Sequence, residues 1–161
     1  MIELKDFPDR QTIESFRKRF KEMDQSALEA WLALLQISVG LEEDLNRFLL
    51  ERELQQSRFF ILILLMRHPA GMTLSQLARG IGVSNPTMTG LVSRMERDGY
   101  VHRRDSPHSR REALVSITQE GNLLMEKTLP AHYKRISAIF SEMSKAERTQ
   151  LQGLLKKIAV A

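Results

Sequence analysis

A chain of 161 residues with 42% hydrophobic and 27% charged side chains is sized for one domain and apolar enough to pack a core, which excludes wholesale disorder. The formal charge of +4 is unevenly spread: residues 1–57 hold eight basic and twelve acidic side chains, a net −4, and residues 58–161 hold sixteen and eight, a net +8. That surplus points to a polyanionic partner for the second part, while the lack of any cysteine excludes disulfides, thiolate metal sites and thiol-based peroxide sensing.

The opening residues MIELKDFPDR contain no apolar signal core, and a cytoplasmic chain is expected. Residues 11–23 read as a short helix with Ile13, Phe16 and Phe20 inward. Ser26 is placed to cap a long helix running to about residue 53. Its first apolar stripe is Leu28, Trp31, Leu32, Leu35 and Val39, continued by Leu41, Leu45, Phe48 and Leu49 across a possible bend at Gly40. The run Phe59 to Met66 is too short to span a bilayer. It fits a buried strand as well as a helix, but the terminator Arg67-His68-Pro69-Ala70-Gly71 and the helical neighbours favour a helix starting at Ser57.

Leu74, Leu77, Ala78 and Ile81 recur at the spacing of one buried helix face, and Gly82 takes the left-handed position that ends such a helix without steric cost. A second helix starts at Ser84 or Asn85, both good N-caps, with Pro86 in the first turn. Met88, Leu91, Val92 and Met95 repeat the apolar spacing. The rest of that helix presents Asn85, Thr87, Thr89, Gly90, Ser93, Arg94 and Arg97, short polar groups and arginines suited to base edges and phosphates. Two short helices joined by a tight turn, the second with such a face, describe a helix-turn-helix.

Asp98-Gly99 ends this helix. Tyr100 to Arg104 alternates as a strand does, and Ala113 to Ile117 is a second candidate strand. Between them, residues 105–111 read as a turn-rich loop. Residues 102–111 carry four arginines and one aspartate, a net +3. A β-hairpin of that charge beside a recognition helix is a wing, able to neutralise phosphates or enter a minor groove through Arg103, Arg104, His108, Arg110 and Arg111. A merely solvated face is the alternative. Cap, face and hairpin agreeing at these offsets favour DNA.

Beyond the hairpin, Thr118 caps a long helix that includes Leu123, Leu124, Leu129, Tyr133, Ile136, Ile139, Phe140 and Met143, with a kink expected at Pro130. Ser144-Lys145-Ala146-Glu147 is a capping box for a last helix with Leu151, Leu154, Leu155 and Ile158 on one face. These apolar stripes have no obvious partner within a compact reading head, and a second copy of the chain is the simplest one.

The segment LSQLARGIGVSNPTMTGLVSRMERDGYVHRRDSPHSRREALVSITQEG resembles the winged-helix core of the MarR family of transcriptional regulators. The matching features are the helix-turn-helix ending in G-V-S, the run L-V-S-R-M-E-R-D-G-Y-V, the R-R-D…R-R wing and the strand-to-helix transition L-V-S-I-T-Q-E-G. The resemblance implies a mainly α fold with a small β-hairpin wing. Residues 1–161 then form one domain, with a winged helix-turn-helix core at about 57–118 and dimerisation helices at about 11–53 and 119–160. It implies a homodimer that binds a pseudo-palindromic operator in double-stranded DNA and represses transcription. One departure stands out: Ser109 precedes Arg110-Arg111 where the family wing often has aspartate. Asp105 or Glu112 could then brace a wing arginine, and which arginine is braced stays open.

The resemblance further implies a small aromatic or amphipathic effector bound where the dimerisation helices meet the reading head. The candidate lining there is Trp31, Leu35, Phe59, Ile63 and Met66, with Arg58 or His68 as a polar handle, and plain core packing is the alternative for each. His68, His102, His108 and His132 lack the spacing of a ligand pair, so no metal is expected. Gly80-Ile81-Gly82 has Asn85 where a dinucleotide fingerprint needs its third glycine, and no catalytic motif is present. Neither a cofactor nor an enzymatic reaction is expected. The competing function is a winged-helix architectural or protein-interaction module without a ligand input.

Overall fold

Short polar side chains set where the helices start. The computed structural model describes residues 6–106 and 109–158, with the side chains of 105–112 outside that description. In it, Asp9, Asp24, Thr73, Ser84, Thr118 and Ser144 each accept a hydrogen bond from the backbone N–H three residues on. Each satisfies a donor that a helix start leaves unpaired. The elements that follow are α1 (Arg10–Arg19), α2 (Gln25–Leu50), α3 (Gln56–Arg67), β1 (Met72–Thr73), α4 (Leu74–Ile81), α5 (Asn85–Arg97), β2 (Val101–Ser106), β3 (Ser109–Ile117), α6 (Gln119–Ile139) and α7 (Lys145–Leu155).

Residues 1–56 form one compact unit and residues 57–161 a second. In the first, the N-cap of α2 is Asp24, two residues before the expected Ser26, because the Asp24 carboxylate is the stronger acceptor. It takes both the Ala27 N–H at 3.0 Å and the Ser26 hydroxyl at 2.8 Å. These bonds, the Ala27 N–H foremost, hold its pKa below the ordinary 3.8. Their stabilising effect is therefore present above pH 3.8 and is lost as the pH falls through the lowered value. The helix runs through Gly40 without interruption. On α1 only Ile13 is buried. Phe16 and Phe20, expected inward, are 44% and 49% exposed and pack edge to face at 6.2 Å. The helix ends at Arg19, so Phe20 sits on extended backbone at its C-cap and leaves the inward face.

In the second unit the apolar octet is helical, and Phe59, Ile61, Leu62 and Leu65 of α3 are buried. The two-residue strand β1 is too short to leave a period in the sequence. It pairs antiparallel with β3, Met72 opposite Val115, to make a three-stranded sheet of order β1-β3-β2. The hairpin is longer than expected: Asp105, Ser106 and residues 109–111 belong to strands, with a register shift between Asp105 and Ser106. Cross-strand pairing holds polar residues in strand conformation where local composition reads as turn. Helix α6 ends at Ile139, before Phe140 and Met143, and contains Pro130. Helix α7 ends at Leu155, short of Ile158. Among the described residues no helix is long and apolar enough to cross a membrane.

The start of α6 lies against the end of the hairpin. The Thr118 hydroxyl donates to the Gly99 carbonyl at 2.6 Å, and its N–H donates to Tyr100 O at 3.0 Å. Gly121 permits this approach, since a Cβ there would meet Tyr100 O and would lie 2.8 Å from Ile117 Cγ1. Gly121→Ala is expected to cost about 1–3 kcal/mol of stability by overpacking against backbone, read as a lower urea midpoint at unchanged m-value.

Candidate nucleic-acid interface

Helix α4 opens on a complete capping box, with the Thr73 N–H on Gln76 Oε1 at 2.8 Å and the Gln76 N–H on Thr73 Oγ1 at 3.2 Å. It closes on Gly82 at φ 72°, a left-handed turn that glycine adopts without strain. Three residues later α5 begins, and Ser84, not Asn85, is its N-cap, with Pro86 in the first turn. Leu77 and Ala78 of α4 and Met88, Leu91, Val92 and Met95 of α5 are buried. This one-sided burial leaves Ser84, Asn85, Pro86, Thr87, Thr89, Gly90, Ser93, Arg94 and Arg97 exposed.

The exposed face is ordered by short bonds. Ser84 Oγ and Thr87 Oγ1 are 2.8 Å apart, and the Thr89 hydroxyl donates to Asn85 O at 3.0 Å. Both leave oxygen lone pairs for an outside donor. Arg97 is 74% exposed on its side chain, with Nε 3.7 Å from Asp98 Oδ1. Nothing lies within 4 Å of where a Gly90 Cβ would stand, so no packing within the described residues explains a glycine in mid-helix.

The hairpin is tied to this helix by a pair that the sequence reading did not single out. Glu96 Oε1 accepts the Arg103 backbone N–H at 3.0 Å, and Glu96 Oε2 lies 3.7 Å from Arg103 Nε. Arg103 Nη2 donates to Ser93 Oγ at 2.9 Å. Among the described side chains the wing arginine braced by a carboxylate is thus Arg103, and its brace comes from the helix. Arg104 Nη2 donates to the Ala70 carbonyl, joining β2 to the loop before β1. His102 is exposed. His108 and the side chains of Arg110, Arg111, Asp105 and Glu112 lie outside the described residues. Glu96 and Arg103 carry no sequence signal as a pair, since their meeting depends on how the chain turns through Asp98-Gly99.

The residues considered for an effector have the following surroundings. On α2, Trp31 is 54% exposed and Leu35 half-buried. On α3, Arg58 Nη2 is ion-paired to Asp98 Oδ2 at 2.8 Å, linking that helix to the end of α5. Phe59 is buried, with its ring 5.1 Å from that of His132. Ile63 lines a hollow of about 360 Å³ with Phe60, Leu64, Arg67, Gly80 and Ile81. Met66 is half-buried, and His68 is exposed beyond the end of α3. Burial, and then the charge of Arg135, pull the His132 pKa below 6.5. Among the described residues no group of three or more histidines, aspartates and glutamates is placed to hold a metal ion.

Comparison with known proteins agrees with this geometry. The family model described as the MarR family matches residues 54–113. The HTH-type transcriptional repressor YetL of Bacillus subtilis is 30% identical over 155 residues, covering 96% of this chain and 93% of that protein. AbsC, a MarR family transcriptional regulator from Streptomyces coelicolor, superposes with a TM-score of 0.75 at 24% identity, covering 83% of this chain and 92% of AbsC. Sco3205 from the same organism, a MarR family regulator solved in complex with DNA, gives 0.74 at 20% identity, with 83% and 86% covered.

Proposed function

Because the chain belongs to the MarR family and is a DNA-binding transcriptional regulator, we propose that it acts in the cytoplasm as a homodimeric repressor whose α5 reads an operator. The observation that carries this is the outward face of α5. Asn85, Thr87, Thr89 and Arg94 stand exposed on a helix whose opposite side is anchored by Met88, Leu91, Val92 and Met95. In this reading Ser84, Asn85, Pro86, Thr87, Thr89, Gly90, Ser93, Arg94 and Arg97 meet the major groove, and Arg110 and Arg111 meet phosphates or a minor groove. The complex of Sco3205 with DNA supports it by analogy of fold. No reaction and no cofactor is assigned to the chain.

The dimer is supported by apolar surface that a single chain leaves in water. Phe16, Phe20, Trp31, Leu34 and Ile37 in the first unit are exposed, as are Ile136, Ile139, Leu154, Leu155 and Ile158 in the second. Apolar patches of this kind mark interaction surfaces, and a symmetric pair would present two α5 helices to successive major grooves. Residues 1–161 then act as one regulatory protomer, with the core at about 57–118 and the remaining helices serving dimerisation. A small aromatic or amphipathic effector would act by favouring a helix spacing that fits the operator poorly. A preference of about 1.4 kcal/mol for that state lowers operator affinity about tenfold at saturation.

Gel-shift titrations across salt test the surface. Thr87→Ala and Arg94→Ala are each expected to cost about 1–3 kcal/mol on the cognate operator, with less effect on random DNA. Arg110→Ala and Arg111→Ala should weaken all DNA alike and lower the salt slope by about one each. Unchanged binding in all four sinks the assignment.

Gly90→Ala separates stability from binding. It should stabilise the fold by about 0.5–1 kcal/mol, since alanine is the better mid-helix residue, while weakening the operator complex where the DNA backbone approaches. Equal or tighter operator binding would remove Gly90 from the contact surface.

Leu154→Asp tests the dimer. An unpaired charge buried in an interface costs several kcal/mol, so sedimentation should give a monomer that no longer shifts operator DNA. A wild-type chain that is monomeric at micromolar concentration contradicts the model.

A further inference from the structure

We propose that Glu96 and Arg103 form a strut that fixes the wing hairpin against the reading helix, and that Arg103 serves DNA binding by holding position, not by contacting phosphate. The inference rests on the reading of α5 and the hairpin as the DNA-facing surface. It adds two positioning residues to that surface, and it gives Arg103 a different task from Arg110 and Arg111.

Three attachments carry the argument. Glu96, the penultimate residue of α5, accepts the Arg103 backbone N–H at 3.0 Å through Oε1. Its Oε2 lies 3.7 Å from Arg103 Nε. The other end of the guanidinium donates to Ser93 Oγ, one helical turn back, at 2.9 Å. The Arg103 side chain is only 31% exposed, against 74% for Arg97, and its Nε is buried without a hydrogen-bond partner, so the 3.7 Å approach to Glu96 Oε2 is a charge contact. A guanidinium turned inward to two helix residues is poorly placed to reach a phosphate.

Charge supports the same reading. A carboxylate on a helix that approaches DNA repels phosphate and lowers affinity if left free. Here Glu96 faces Arg103, which among the described side chains is the wing arginine that folds back onto the helix, so each neutralises the other. The geometry also requires arginine. Its planar fork reaches Ser93 and Glu96 together, whereas the single ammonium of lysine spans one partner at a time. The hairpin and α5 are also joined through the turn at Asp98-Gly99 and by the Tyr100 N–H on Met95 O at 2.9 Å, beside the buried Val101 at the start of β2, and the strut adds a directional polar link to these.

The test uses the full chain, its operator, random DNA and a salt titration. Removing a free carboxylate near DNA would tighten binding. The strut requires the opposite sign, so Glu96→Gln should weaken operator binding about tenfold, with a smaller effect on random DNA. Arg103→Ala should weaken it as much with the salt slope unchanged, whereas loss of a phosphate contact lowers the slope by about one. Arg103→Lys, which keeps the charge, should bind no better than Arg103→Ala. The double variant should be no weaker than the weaker single, because both remove one interaction.

Arg94→Ala is the control for the underlying surface, and circular dichroism confirms folding. The isosteric Glu96→Gln keeps the question answerable if Arg103→Ala fails to fold. Tighter operator binding by Glu96→Gln, or a slope lowered by about one in Arg103→Ala, overturns the strut when Arg94→Ala still weakens the complex. Wild-type binding by Arg94→Ala together with the strut variants overturns the surface reading itself.

Discussion

The arrangement of the reading head depends on the burial of one side of α5. Met88, Leu91, Val92 and Met95 are removed from water almost completely. Each such side chain contributes about 1.5–3 kcal/mol relative to an exposed one. Rotating the helix by one residue, about 100°, would turn Met88, Leu91 and Met95 outward and bring Thr89, Ser93 and Glu96 into the buried positions. The cost of that exchange is what keeps the polar face outward. A recognition surface on this helix is therefore a consequence of the core beneath it, and hydrogen bonds among Ser84, Thr87, Asn85 and Thr89 only trim its details.

From that anchored helix, three polar links pass order to its neighbours. Arg58 and Asp98 tie its end to α3, Glu96 and Arg103 tie it to β2, and the Tyr100 N–H returns to Met95 O at 2.9 Å. Thr118 then binds Gly99 and Tyr100, so the first turn of α6 is registered on the same corner. Each ion pair is partly exposed, which limits its net contribution. Their value lies in direction, because together they set angles between elements that the apolar core holds only loosely.

Charge and apolar surface divide the labour between the ends of the chain. The excess of basic side chains over residues 58–161 accompanies the helix-turn-helix and hairpin, and long-range attraction for a polyanion follows from it. The terminal helices instead leave large apolar side chains exposed: Phe16, Phe20, Trp31 and Ile37 at one end, and Leu154, Leu155 and Ile158 at the other. Isolated exposed apolar groups are ordinary on a monomer. Runs of them at helical spacing on several elements are not.

Elements governed by neighbours along the chain were legible in the amino-acid sequence. The α4 stop at Gly82, the caps at Thr118 and Ser144, and the choice of which face of α5 is apolar all depend on spacing within one turn. The same holds for the polar residues of the candidate site on α5. Contacts between distant positions were not legible. The strand β1 exists only because β3 passes beside it, the hairpin strands extend because each is paired with the other, and Phe20 leaves the inward face because α1 ends at Arg19. The partners of Arg58, Arg103 and Arg104, namely Asp98, Glu96 and the Ala70 carbonyl, belong to this second group. A basic side chain reads the same in sequence whether it faces solvent or its own fold. Only the closure of the chain in three dimensions decides which.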